Sequence, residues 1–134
     1  MNNLEFFVLG SGSSGNCSLL RLNNNWVMID AGFSMKQTKE RMRTHGLALD
    51  DVQDVLVTHF DRDHFNPGWC KTFAQRNMRV HIHEKHIGRA ERAGLDERCV
   101  VPFTTNIQLL CSNVETIHFA HDALGTVGFI FDTG

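Results

Sequence analysis

The sequence predicts a layered α/β or α+β domain, and three observations lead to that prediction. Short apolar runs typical of strands open the chain, beginning with LEFFVL at residues 4–9. Segments of helical character, such as SMKQTKERMRTHG at 34–46, are interspersed with further apolar runs, and strand-like runs close the chain. A length of 134 residues suits one domain with a single moderate core, spanning residues 1–134.

The first third of the chain predicts a strand, a loop and a hairpin. LEFFVL is apolar along nearly its whole length and is expected to be a buried strand. GSGSSGN at 10–16 must be a loop, because so much Gly and Ser disfavours both helix and strand. CSLLRL at 17–22 and WVMID at 26–30 flank three asparagines, which tolerate positive φ and so predict a hairpin turn.

Capping residues define the helix expected over 34–46. Ser34 can cap its first turn and Gly46 can close its last. DVLVTH at 54–59 is the next expected strand, and Pro67 suits the first turn of the helix after it.

The second half of the chain continues to mix strands and helices. MRVHIH at 78–83 predicts a strand and EKHIGRAERAG at 84–94 a helix. The remaining strand-like runs are CVVPF (99–103), IQLLC (107–111), VETIHFA (114–120) and TVGFIF (126–131). Pro102 cannot donate to a ladder, so CVVPF is expected to be an edge strand or a short one.

Composition indicates an ordinary globular protein, 42% hydrophobic and 21% charged, and we expect it to be cytoplasmic. The formal net charge is -2, so no global basic field draws the chain to nucleic acid. We find no signal peptide and no apolar run of the roughly 20 residues that span a bilayer, so no membrane partner is expected. The four cysteines form no CxxC pair and are expected to be reduced thiols.

The run THFDRDHFNPGW at 58–69 is the strongest candidate for a functional site. It places four side chains that can bind metal, His59, Asp61, Asp63 and His64, directly after an apolar strand. A metal that keeps one position open for water lowers the pKa of that water to about 7 and so supports hydrolysis. Two carboxylates make a harder donor set than imidazoles alone, which suits Mn²⁺ or Fe as well as Zn²⁺. The alternative is a solvated polar turn with incidental histidines.

Four segments together resemble the metallo-β-lactamase superfamily along nearly the whole chain. THFDRDH resembles the family's His-x-His-x-Asp-His signature, and VMIDAG at 27–32 resembles the strand that precedes it. VLGSGSSGNCSLL at 8–20 and FAHDALGTVGF at 119–129 are similar to segments of a YycJ-like, exonuclease-like branch. The resemblance implies an αββα sandwich that binds two divalent metal ions, Zn or Mn, with Fe as a further candidate.

The resemblance also implies roles for individual residues. His59 would bind the first ion with His121 as its later ligand, and Asp63 and His64 would bind the second. Asp61 replaces the family's second histidine and stays a candidate ligand. Asp30 would lie behind the ligands and orient their loop, and Asp63 would also orient or deprotonate the attacking water.

Length is the second departure from the family pattern. Family members usually run well past 200 residues, so the chain is expected to hold only the N-terminal half to two-thirds of the usual domain. It would then be a fragment, or a half-domain completed by a partner such as a second copy. An isolated half is expected to leave one sheet face uncovered.

Two other polar segments have functional and structural interpretations. Backbone N–H groups of the Gly/Ser loop could bind phosphate; its candidate residues are Ser11, Gly12, Ser13, Ser14, Gly15 and Asn16. A plain connector is the alternative. His81, His83 and His86 have a spacing that could bind a transition metal, but a solvent-facing or helix-entry role is favoured.

These observations favour a metal-dependent hydrolase of the phosphodiesterase or nuclease type. Its expected partner is a phosphodiester substrate, either nucleic acid or a cyclic nucleotide. A cyclic-nucleotide phosphodiesterase of the same fold is the second enzymatic interpretation, because a small nucleotide needs less basic surface than DNA. A metal-binding or regulatory half-domain without catalysis is the third.

Overall fold

A computed structural model describes residues 4–22, 24–109, 113–119 and 126–131, with side chains over 5–22 and 24–109. Strands and helices are layered, which confirms the predicted α/β class. None of the helices in the described segments has the length and apolarity that crossing a membrane requires.

Six strands form the first sheet, in the order in which they occur along the chain. They are β1 (Leu4–Gly10), β2 (Cys17–Leu22), β3 (Asn25–Ile29), β4 (Val52–Leu56), β5 (Arg79–His83) and β6 (Val100–Phe103). The first three strands pair antiparallel, as the predicted hairpin requires, and β3 to β6 pair in parallel. β6 carries Pro102 and lies at the edge, as its proline predicts.

Three strands form a second, antiparallel sheet, and they match the last three predicted runs. They are β7 (Asn106–Gln108), β8 (Asn113–Phe119) and β9 (Thr126–Phe131).

Helices connect the parallel strands: α1 (Met35–Arg43), α2 (Cys70–Gln75) and α3 (Ile87–Ala93). Ser34 caps α1 in a complete capping box with Gln37, whose own side chain accepts from the Ser34 amide. Pro67 begins a short 3-10 turn, Pro67–Trp69, that leads into α2. Both outcomes agree with the expected helix starts.

Two hydrophobic clusters lie on opposite faces of the first sheet, because adjacent strand residues alternate between them. Leu19, Met28 and Val55 belong to the larger cluster, which includes helix residues such as Met42 and Phe73. Leu20, Val27 and Leu56 belong to the smaller one, which includes Ile107 of β7 and Leu109. The first sheet is therefore packed against helices on one face and against β7 on the other.

The expectation that β1 is fully buried is wrong. Phe6 and Val8 are each 55% exposed, whereas Leu9 is buried in the larger cluster. Phe6 pairs with Leu20, so it lies on the face of the smaller cluster. β1 is the edge strand farthest from β6, and among the described side chains Phe6 and Val8 stay exposed there.

Candidate metal centre

The loop after β4 is held in place by backbone hydrogen bonds to the segment after β3. The Ala31 amide donates to the His64 carbonyl at 2.8 Å, and the Asn66 amide donates to the Ala31 carbonyl at 2.7 Å. Phe65, between the two bonded positions, is buried against the helical face of the sheet. The loop therefore begins at the end of a parallel strand and is hydrogen-bonded to the neighbouring segment before it continues into the next helix.

Asp30 lies at the centre of this arrangement, and its role in orienting the metal ligands stays a prediction. Its Oδ1 accepts the Thr58 amide at 2.7 Å, and its Oδ2 accepts the Thr58 hydroxyl at 2.7 Å. His64 Nδ1 lies 2.6 Å from the same Oδ2. Asp30 is buried and has φ +62°, a left-handed conformation that Asp tolerates better than most residues.

The contact with Asp30 determines which nitrogen of His64 can bind a metal. An ionised carboxylate accepts a hydrogen bond from Nδ1–H, so the proton of a neutral imidazole stays on Nδ1 and Nε2 keeps its lone pair. Nε2 lies 3.7 Å from Asp63 Oδ2, and the ring of His59 lies beside it, with centroids 3.7 Å apart. His64, Asp63 and His59 thus bring two imidazoles and a carboxylate side by side.

Charge around His64 raises its pKa. Partial burial lowers the pKa, but the hydrogen bond that His64 donates to Asp30 and the negative charges of Asp30, Asp63 and Asp61 outweigh that effect. The local field therefore attracts positive charge, which is what a cation site requires.

Asp61 is placed differently from Asp63. Its side chain is half exposed, and Oδ2 lies 3.5 Å from His59 Nδ1. The Asp61 amide also donates to that nitrogen at 3.3 Å. Asp61 therefore contacts the Nδ1 edge of His59.

No group of three His, Cys, Asp or Glu side chains is arranged to hold a metal within the part of the chain that the structure describes. His121 follows β8 and lies outside the described residues. The donors fit a divalent ion in chemistry and in the support that Asp30 provides, while a complete ligand set needs a donor from elsewhere. The metal roles of His59, Asp61, Asp63, His64 and His121 stay predictions.

The Gly/Ser loop uses several of its amides internally. The Gly12 amide donates to Asn16 Oδ1 at 3.1 Å, and the Gly15 amide donates to the Gly12 carbonyl at 3.3 Å. The Asn16 amide donates to the Asp63 carbonyl at 2.6 Å. A phosphate would have to be bound by the amides of Ser11, Ser13 and Ser14, so the nest stays a prediction for those three.

A solvent-facing role for these three histidines is wrong. His81 and His83 are buried on β5, which is an inner strand, and His86 is buried in the short turn that follows it. His81 Nε2 lies 2.7 Å from Asp54 Oδ1, so the two form a buried pair away from the metal loop. His83 has the expected helix-entry role, since its Nδ1 accepts the Lys85 amide at 3.1 Å.

Thr58 is a site residue that the sequence motifs did not single out. Both its amide and its hydroxyl bind Asp30. Its position directly before His59 is the only signal in the sequence that could have identified it.

A mixed sheet covered by helices on one face, with a His/Asp loop at a strand end supported by a buried aspartate, defines a class of protein. The chain belongs to the metallo-beta-lactamase superfamily, whose family profile matches residues 10–125. The resemblance drawn from the motifs is confirmed.

Individual proteins are similar to parts or most of the chain. Exodeoxyribonuclease YycJ of Bacillus anthracis is 39% identical over 61 residues, which cover 46% of this chain and 23% of that protein. A class B3 di-zinc metallo-beta-lactamase from an Alaskan soil metagenome superposes with a TM-score of 0.74 at 18% identity, covering 98% of this chain and 55% of that one. The chemotaxis sensor ODP, studied as a peroxy diiron species, gives 0.67 at 20% identity, covering 94% and 54%.

The two structures establish the fold, and both are described as holding two metal ions. The chain spans about half the length of each.

Proposed function

We propose that the protein is a metal-dependent hydrolase that cleaves phosphodiester bonds, with nucleic acid as its substrate class. The observation that carries this proposal is the Asp30–His64 contact, which leaves His64 Nε2 free beside Asp63. The similarity to an exodeoxyribonuclease over 61 residues supports the choice of bond.

In this proposal, His59, Asp61 and His121 would hold one divalent ion, and Asp63 and His64 a second. Bound ions would supply a water that is acidic enough to ionise near neutral pH, and would neutralise charge on the phosphate. Asp63 would orient that water through Oδ2 and hold its proton. Asp30 would keep His64 in the Nδ1–H tautomer throughout.

A second candidate is a metal-binding domain without catalysis. Two observations favour it: no three donors are arranged to hold a metal among the described side chains, and Asp61 Oδ2 lies 3.5 Å from His59 Nδ1, within ion-pair distance. A donor set of this kind would bind an ion too weakly or too incompletely to activate water.

Metal content and turnover, measured on the same sample, separate the two candidates. Metal would be determined by mass spectrometry after reconstitution with Zn²⁺ or Mn²⁺, and turnover with bis-p-nitrophenyl phosphate. We expect about two bound ions per chain in protein that turns over the substrate. We expect His64→Ala to lose both bound metal and turnover. His45→Ala is the matched control, because His45 is exposed and stacks on Phe7 away from the loop.

Stoichiometric metal without turnover would support the non-catalytic candidate. If turnover is found, single-stranded DNA and cyclic nucleotides would be compared as substrates. Preference for the small nucleotide would replace nucleic acid as the substrate class, an outcome that the net charge of -2 favours.

A further inference from the structure

Asn16 connects the Gly/Ser loop directly to the candidate metal ligand Asp63. Its amide donates to the Asp63 carbonyl at 2.6 Å, and its Nδ2 lies 3.0 Å from the same oxygen. Nδ2 also donates to Asp63 Oδ2 at 3.3 Å. The two residues are 47 positions apart in the chain, so the tertiary structure brings them together.

The orientation of the Asn16 amide is determined by Gly12. Oδ1 accepts the Gly12 amide at 3.1 Å, and Nδ2 donates to the Gly12 carbonyl at 2.9 Å. A flipped amide would place a donor against a donor and an acceptor against an acceptor, so Nδ2 is the atom that faces Asp63. Asn16 is therefore held by its own loop in the orientation that contacts the carboxylate.

The aromatic ring of Phe33 packs against the Gly/Ser loop. A Cβ at Gly15 would lie 2.7 Å from the ring of Phe33, so the loop backbone lies directly on the ring. The Arg41 guanidinium covers Phe33 at 4.1 Å from the ring centroid and donates to the Leu9 carbonyl at 2.7 Å. The Gly/Ser loop is thereby held against α1 and cannot move away from Asp63 without breaking this packing.

The backbone of Gly32 also contacts Asp63. The Gly32 amide donates to the Asn16 carbonyl at 3.0 Å. A Cβ at Gly32 would overlap the Asp63 carbonyl, so the backbones of Gly32 and Asp63 are in direct contact. Asp63 is thus held at its main chain by two segments and at its carboxylate by Asn16.

We infer that Asn16 is a positioning residue that sets the orientation of the Asp63 carboxylate for metal binding. This inference rests on the proposed metal site. A neutral amide donor fixes the side-chain rotamer of a carboxylate while leaving its negative charge for the ion, and outer residues of this kind typically alter metal affinity about 10–100-fold. The main role of the Gly/Ser loop is then to present Asn16.

Cobalt titration of the apoprotein tests the inference without requiring catalysis. Wild-type protein, Asn16→Ala and Asn16→Asp would be titrated with Co²⁺, following the visible absorption of the bound ion. Asn16→Asp keeps the oxygen that accepts from Gly12 but exchanges the Nδ2 donor for an anionic oxygen, whereas Asn16→Ala removes the side-chain amide without adding charge. Asn66→Ala is the matched control, because Asn66 caps Gly68 at 2.9 Å in the same segment and has no hydrogen bond to Asp63.

We expect both Asn16 variants to weaken binding of one cobalt equivalent about 10–100-fold and to change its spectrum, with melting temperatures matching that of Asn66→Ala. In the enzyme, kcat for bis-p-nitrophenyl phosphate would fall more than KM rises. Wild-type affinity and spectrum in both Asn16 variants would overturn the inference and leave the proposed function intact. Metal-loaded wild type without turnover would overturn the proposed function alone, and failure of wild type to bind Co²⁺ would overturn both.

Discussion

Replacing Asp30 with Asn tests the central contact of the site with little steric change. Asn has the same shape as Asp and also tolerates the left-handed φ of +62° at this position. The amide oxygen can still accept the Thr58 amide, but the new NH₂ group faces the Thr58 hydroxyl and His64 Nδ1. The variant therefore removes the negative charge and reverses the hydrogen bond to His64.

The expected effect on stability follows from the bonds that change. Hydrogen bonds to a charged group contribute about 1.5–3 kcal/mol each. The Thr58 hydroxyl can rotate and accept from the new amide, whereas His64 must change tautomer. We expect the free energy of unfolding of the apoprotein to fall by about 2 kcal/mol.

The effect on metal binding has a separate cause. An amide that donates to His64 Nδ1 favours the tautomer with its proton on Nε2, the nitrogen that would bind the ion. We expect metal affinity to fall about 10–100-fold, which corresponds to about 1.4–2.7 kcal/mol.

Asp54→Asn is the matched control, because Asp54 forms a separate, fully buried carboxylate–histidine pair with His81. Urea unfolding of both apoproteins would give stability, and zinc titration against a competing chelator would give affinity. We expect both variants to be destabilised but only Asp30→Asn to lose affinity. Equal losses of affinity, or wild-type affinity in Asp30→Asn, would refute the reasoning.

Three further predictions follow from the same contacts. Gly32→Ala should prevent folding or greatly lower the melting temperature, because its Cβ would overlap the Asp63 backbone. Gly88→Ala in α3 is the control and should be tolerated. An unchanged melting temperature for Gly32→Ala would contradict this prediction. Folded Cys17 should resist iodoacetamide at pH 9, because burial and then the charge of Asp30 raise its pKa from 9.0 to about 12. The stability that this thiol contributes is full below pH 9 and is lost as pH rises toward about 12. Rapid labelling of Cys17 in the native state would disprove the raised pKa. Asp61→His restores the family's second histidine and should tighten zinc binding in the same competition assay; weaker binding would show that Asp61 is the better ligand here.

Local patterns predicted much of the fold because their causes lie within a few residues. The capping box of Ser34 and Gln37 is complete within one helical turn. Pro102 limits its strand through its own missing N–H group, whatever surrounds it. The sequence of His59, Asp63 and His64 after a strand likewise places the candidate ligands on one short loop.

Burial was predicted less well, because it depends on neighbours that are distant in the chain. Phe6 and His81 show opposite errors. Phe6 belongs to an apolar run but lies on an edge strand and is exposed, whereas His81 is polar but lies on an inner strand and is fully buried beside Asp54. Neither residue type nor periodicity states which strands lie at the edge of a sheet.

The amino-acid sequence by itself determined the family, the order of strands and helices, and the loop that carries the candidate ligands, because these depend on residue type and short-range spacing. Only the tertiary structure decided how those ligands are oriented. Asp30 contacts His64 across 34 residues and Asn16 contacts Asp63 across 47. The first contact arises because parallel β3 and β4 bring their carboxyl ends to one edge of the sheet, and the second because antiparallel β2 begins at that same edge. Spacing along the chain does not specify this juxtaposition.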